Sequence, residues 1–242
     1  MTKTILALSA ALFTVTPALA QFELEELDAL MPAPTPTLSD SVAETTAEPT
    51  YELTYVKLGT EMGDILLALE TERAPITTKN FLRYLREGRL AGQDFYRASN
   101  IADGYGLVQA GTQGNPKFVL PAIAHEPTSR TGLTHTDGTI SMAMGEPGTA
   151  DGDFFIIMGD MPSLDAKDGQ PGFAAFGRVV DGMDTVRAML AAPTDPNEGE
   201  GVMKGQYLAD PVTIRTADVV DAPVTVATGI TDPGASGDPD SQ

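Results

Sequence analysis

The chain has 242 residues, with 34 Asp and Glu against 15 Lys and Arg, a net charge of −19, and neither cysteine nor tryptophan. This balance excludes the basic footprint of a nucleic-acid binder and the cationic face that favours anionic lipid. Without cysteine there are no disulfides and no thiolate–metal chemistry, so stability has to come from one packed core.

Residues 1–20 read as a signal peptide: Lys3 gives the positive start, residues 5–15 a mostly apolar run, and Ala18, Leu19 and Ala20 a small-residue cleavage site. Thr14, Thr16 and Pro17 interrupt the run before the ~20 apolar residues that a membrane span needs. Cleavage is therefore expected, leaving a chain that starts near Gln21 and works outside the cytoplasm with no membrane attachment. Residues 21–50 hold seven acids, no base, and Pro32, Pro34, Pro36 and Pro49. Such a stretch cannot bury enough apolar surface to offset its ordering entropy, which predicts a disordered linker.

Two strands are predicted at residues 51–58 and 64–69, around a turn that contains Gly59 and Gly63. Pro75 then opens a helix along which Ile76, Asn80, Phe81, Tyr84 and Leu85 recur at helical spacing, with Gly88 as its stop. Short apolar runs separated by Gly, Pro and Asp follow, and a second helix is predicted at 184–190 through Val186, Met189 and Leu190. Val212, Ile214, Val219 and Val220 read as a closing strand, and residues 221–242, with four acids and no base, as a disordered tail. More than half of the negative charge therefore lies outside residues 51–220. Pattern alone stops at a β-barrel or sandwich with two helices.

Five segments carry more. They are Phe95-Tyr96-Arg97, then Leu107-Val108-Gln109-Ala110-Gly111, the run 138–144 (GTISMAM), Asp153-Phe154-Phe155-Ile156, and the run 173–184 (FAAFGRVVDGMD). In that order and spacing they resemble the cyclophilin family of peptidyl-prolyl cis/trans isomerases, or rotamases, over roughly residues 51–220. The resemblance implies an all-β-dominated fold: a closed eight-stranded antiparallel β-barrel capped by two α-helices, with peptide bound on the outer face. It implies Arg97 as catalytic donor, Gln109 orienting it, and a proline pocket of Phe155, Met142 and Leu164. Leu107, Ala143 and Met144 would line the neighbouring groove, with Phe173 at the pocket edge in place of a histidine or tyrosine.

The chemistry suits such residues. An X-Pro bond rotates over a barrier of ~18–20 kcal/mol because amide resonance flattens it. Catalysis needs only a site that binds the twisted imide better than either planar form. A guanidinium, always charged and presenting donors in a rigid fork, can meet the lone pair that the prolyl nitrogen regains on twisting.

This sequence departs from the family pattern in places. Tyr96 stands where histidine is usual, and the stretch from Arg97 to Gln109 is longer, with residues 100–103 looking inserted. The pocket-floor phenylalanine falls at Gly106 or Tyr105, Met144 replaces an asparagine, Asp153 a glutamine, and Ser163 an aromatic. Weak binding of cyclosporin-type ligands would follow. Asp153 is expected beside Arg97, either orienting it or competing with substrate for it. In the competing case Asp153→Gln would raise activity.

His125 and His135 are the only histidines and read as solvated loop residues; no metal or cofactor is implied. The expectation is thus an exported bacterial isomerase, periplasmic in a Gram-negative cell. It would be a monomer acting on proline-containing, unfolded or extended polypeptides. The alternatives are a feebly active module of the same fold that binds such peptides as chaperone or adaptor, and a scaffold whose acidic tails mediate assembly.

Overall fold

The computed structural model describes residues 51–223, so the predicted signal peptide, the linker and nearly all of the acidic tail lie outside the described residues. β1 (Leu53–Thr60) and β2 (Asp64–Glu70) form the first hairpin. Val56 and Leu58 of β1 face inward opposite Ile65, Leu67 and Leu69 of β2, all without solvent exposure. Helix α1 (Pro75–Arg86) starts on proline, where the missing N–H would have no partner anyway. It ends beside Gly88 at φ +65°, and Arg83 and Arg86 in its last turn complement the helix dipole.

The remaining elements are β3 (Asp94–Ala102), β4 (Tyr105–Gly111), β5 (Thr139–Met142), β6 (Phe154–Met158), β7 (Ala174–Asp181), α3 (Met183–Leu190), β8 (Thr194–Asp195) and β9 (Tyr207–Val220). A four-residue helix, α2 (Thr128–Thr131), lies between β4 and β5 and was not expected from the sequence. All pairings between strands are antiparallel, in the order β1-β2-β7-β5-β6-β4-β3-β9, and β9 returns to β1 with Tyr55 opposite Val220. This closes an eight-stranded barrel, as expected, with the two-residue β8 attached outside it to β9.

Aromatic rings fill the interior. Phe81 from α1 meets Phe154 edge-on at 5.3 Å and Phe176 at 5.3 Å, and Phe95 meets Phe154 at 5.9 Å. Val186, Met189 and Leu190 of α3 join the same core. With the interior packed, a ligand has to bind outside.

The lengthened stretch after Arg97 is an extension of the β3–β4 ladder, not a loose loop. Ala102 pairs with Tyr105 across an Asp103-Gly104 turn, with Gly104 at φ +68°. Next to it, a Cβ on Gly106 would collide with the backbone carbonyl of Ser99, so no floor side chain fits at that position. Tyr105 instead packs against the cluster of Phe155, Ile157 and Met161.

Candidate active site on the outer face of the barrel

Strand β6 is buried along its whole length. Phe154 and Ile156 point into the barrel, whereas Phe155 and Ile157 point out and are covered by Met161, Leu164, Phe173, Leu107 and Ala143. Burial on both faces explains why this strand reads as a continuous apolar run instead of alternating. Beside this outer cluster lies a groove of about 490 Å³.

The groove brings together nearly all of the predicted residues. Its apolar wall is Leu107, Ala143, Met144, Phe155, Leu164 and Phe173, and its polar wall includes Arg97, Gln109 and Asp153. Phe173 meets Phe155 edge-on at 5.4 Å, making an apolar corner. Met142 is the exception. It alternates inward from Ala143, is 1% exposed, and belongs to the barrel core beside Phe154, so it is no part of the pocket wall. In the same way Ile140 faces inward and Ser141 outward.

Arg97 is half-buried on β3 and held from two sides. Its Nη1 donates to Gln109 Oε1 at 2.7 Å, while Nε and Nη2 donate to Gln206 Oε1 at 2.9 and 2.6 Å. Arg97 and Gln109 face each other directly across the β3–β4 ladder, which is why a separation of twelve residues becomes a contact. Gln206, on the loop before β9, was not anticipated: it lies 109 residues from Arg97 in the chain and belongs to no recognisable motif. Met203 of the same loop also lines the groove.

Asp153 does not pair with Arg97. Among the described residues no carboxylate forms an ion pair with this guanidinium. The link is indirect: Gln109 Nε2 donates to Tyr96 Oη at 2.6 Å, and Tyr96 Oη donates to Asp153 Oδ2 at 3.2 Å. Direct competition for Arg97 is therefore not what Asp153 does. Its carboxylate is pinned over Gly111, whose φ of +135° and lack of a Cβ make room for it, and it accepts the Gln113 N–H at 2.8 Å. Burial raises the Asp153 pKa above its ordinary value, opposed by the Gln113 N–H and the Tyr96 hydroxyl. Burial, and then the neighbouring Asp153 charge, push the Tyr96 hydroxyl well above the usual phenol range, so it stays a donor. Burial also lowers the Arg97 pKa from its ordinary value, yet a guanidinium remains charged across the physiological range.

His135 is not the solvated residue expected from the sequence; it is 1% exposed beneath the site. Its ring stacks on Phe155 at 6.3 Å and 12°, with Nδ1 2.7 Å from Asp165 Oδ1 and Nε2 3.0 Å from Ser141 Oγ. These are the residue types of a nucleophilic triad, but Ser141 has no exposed surface, so no acyl group can reach it. The arrangement instead fixes the Phe155 ring. Burial holds the His135 pKa below its ordinary value of 6.5, against the opposing pull of Asp165. Neutral His135 thus contributes stability that is present above about pH 6.5 and is lost as pH falls toward the lower folded-state value. Thermal melts from pH 8 to pH 5 should show a falling midpoint, and His135→Gln should flatten that dependence.

Residues 55–219 match the family model described as cyclophilin type peptidyl-prolyl cis-trans isomerase/CLD. The chain is 33% identical over 170 residues to peptidyl-prolyl cis-trans isomerase A of Dickeya dadantii, covering 68% of this chain and 84% of that protein. It is 33% identical over 172 residues to a peptidyl-prolyl cis-trans isomerase of Streptomyces antibioticus, covering 68% and 98%. The fold is similar to the crystal structure of a cyclophilin type peptidyl-prolyl cis-trans isomerase of Cryptosporidium parvum. That match has a TM-score of 0.58 and 23% identity, and covers 71% of this chain and all of the other. The closed barrel, the outer groove and the family match over residues 55–219 lead to one conclusion: this chain belongs to the cyclophilin-type peptidyl-prolyl cis-trans isomerase family.

Proposed function

We propose that the chain accelerates cis/trans rotation about X-Pro bonds in unfolded or extended polypeptides, with Arg97 as the catalytic donor. The observation that carries this reading is the state of the Arg97 guanidinium. Two glutamine side chains hold it through three N–H groups, and among the described residues no anion neutralises it. One N–H on Nη1 and one on Nη2 remain for a substrate. Phe155, Phe173, Leu164 and Leu107 supply an apolar corner for the proline ring, which sets the prolyl nitrogen within reach of those donors. As the bond twists and the nitrogen becomes pyramidal, its lone pair accepts a hydrogen bond that the planar imide cannot accept. The interaction therefore favours the transition state over both ground states.

A proline-containing peptide is the partner this geometry suits; a further structure of the Cryptosporidium parvum protein was determined in the presence of the dipeptide Ala-Pro. We further propose a bacterial, exported, periplasmic and monomeric protein, with residues 1–20 cleaved. Export and cleavage rest on Lys3, the apolar run at 5–15 and Ala18-Leu19-Ala20.

The test is exchange NMR of a proline tetrapeptide with catalytic amounts of the full chain and no coupled protease. Accelerated cis/trans exchange is expected. Binding without acceleration would favour a peptide-binding module over an enzyme, and neither binding nor acceleration would overturn the reading.

A further inference from the structure

Arg97 reaches the groove from a strand, and one glutamine across the ladder constrains only its Nη1. A guanidinium held at one nitrogen can still swing about that contact and about its own side-chain torsions. The second restraint comes from a different part of the chain. Gln206 Oε1 accepts from both Nε and Nη2, closing a two-point contact on the opposite edge of the guanidinium.

Gln206 is itself fixed at every polar atom this contact depends on. Its backbone carbonyl accepts the N–H of Ala98, the residue after Arg97, at 2.9 Å. Its Nε2 donates to Val202 O at 2.8 Å within the turn Gly201–Met203. Its neighbour Tyr207 pairs with Arg97 in register and rests its ring on Tyr96 at 5.8 Å. The amide has one workable orientation. Flipping it would turn the NH₂ toward the guanidinium and the oxygen toward the Val202 carbonyl, losing three hydrogen bonds.

We infer that Gln206 is a positioning residue for isomerisation: together with Gln109 it fixes the plane of the Arg97 guanidinium, so that the free N–H groups point at the prolyl nitrogen. This rests on the assignment of Arg97 as donor under the proposed function. Gln206 lies behind the guanidinium edge that faces away from Gln109, so its effect is on the rate of the bound peptide more than on its affinity.

The experiment compares the full chain with Gln206→Ala and Gln206→Glu. Exchange NMR gives the on-enzyme rate and peptide affinity separately, and the Arg97 Nε–H resonance reports the order of the guanidinium. Gln206→Ala should lower the on-enzyme rate by about tenfold to a hundredfold, as loss of hydrogen bonds to a charged group implies, with affinity changed by less than about threefold. The Arg97 Nε–H signal should broaden or vanish. Gln206→Glu keeps an acceptor at the same reach, so the sharp Arg97 Nε–H signal should return, while the rate stays low because its carboxylate neutralises the guanidinium and cannot donate to the Val202 carbonyl. An unchanged rate in Gln206→Ala, or an Arg97 Nε–H signal broadened equally in both variants, would overturn the inference. If the wild-type chain catalyses nothing, the proposed function fails by itself; an Arg97 Nε–H signal indifferent to Gln206→Ala would then independently overturn the positioning role.

Discussion

Replacing Arg97 by alanine should lower the on-enzyme isomerisation rate by about a hundredfold to a thousandfold while leaving peptide affinity within about tenfold, the range seen when one preorganised donor to developing charge is removed. The asymmetry follows from where each interaction is made. Under the proposed function the proline ring rests in the corner of Phe155, Phe173 and Leu164, which persists in the variant. Arg97, as proposed, meets only the lone pair that appears on twisting. Its neighbours tolerate the loss, because Gln109 keeps its hydrogen bond to Tyr96 and Gln206 keeps its bond to Val202. Arg97→Lys should fall between the two, since an ammonium is a point charge that cannot be gripped along two edges. Equal rates for wild type and Arg97→Ala would show that the donor lies elsewhere.

Phe155→Ala should act on affinity and stability together. The ring is 4% exposed, stacks on His135 and meets Phe173 edge-on. Its loss should destabilise the fold by about 3 kcal/mol, the low end for truncating a buried phenylalanine, because one side of it already borders the groove. Removing the corner should also weaken proline peptides by about tenfold or more, as expected for a ring-sized apolar contact. Denaturant midpoints and peptide titrations separate the two effects. A variant that melts like wild type would mean that the outer cluster is not cooperative with the barrel.

Much of this architecture is legible in the residues because it is locally encoded. The first hairpin, α1 and α3 each carry their own periodicity and punctuation, and the observed bounds differ from the expected ones by a residue or two. The groove residues were legible only through order and spacing across five segments. Within them Met142 was misplaced, because parity along a four-residue strand decides whether a side chain faces core or groove, and a run buried on both faces hides that parity. Gln206 and His135 carry no local signal. One is set by the pairing of β3 with β9, the other by a loop that folds under Phe155. Asp153 was expected beside Arg97, orienting it or competing for it; there is no direct contact to compete through, and the link runs by Tyr96 and Gln109, which become a relay only once β3, β4 and β6 are side by side.

Closure of the sheet through β1 and β9 bears on the company such a protein would keep. A folding catalyst works among chains whose backbones are still seeking partners, and an open strand edge would offer them a ladder to join. Here each of the eight barrel strands has two neighbours over part of its length, and the one strand left over among the described residues, β8, is two residues long. Pro193 precedes it and Pro196 follows it, so the flanking positions lack an N–H to donate. Among the described residues the edge left open to a client is short, confined to the outer end of β3 beyond Arg97 and to β8.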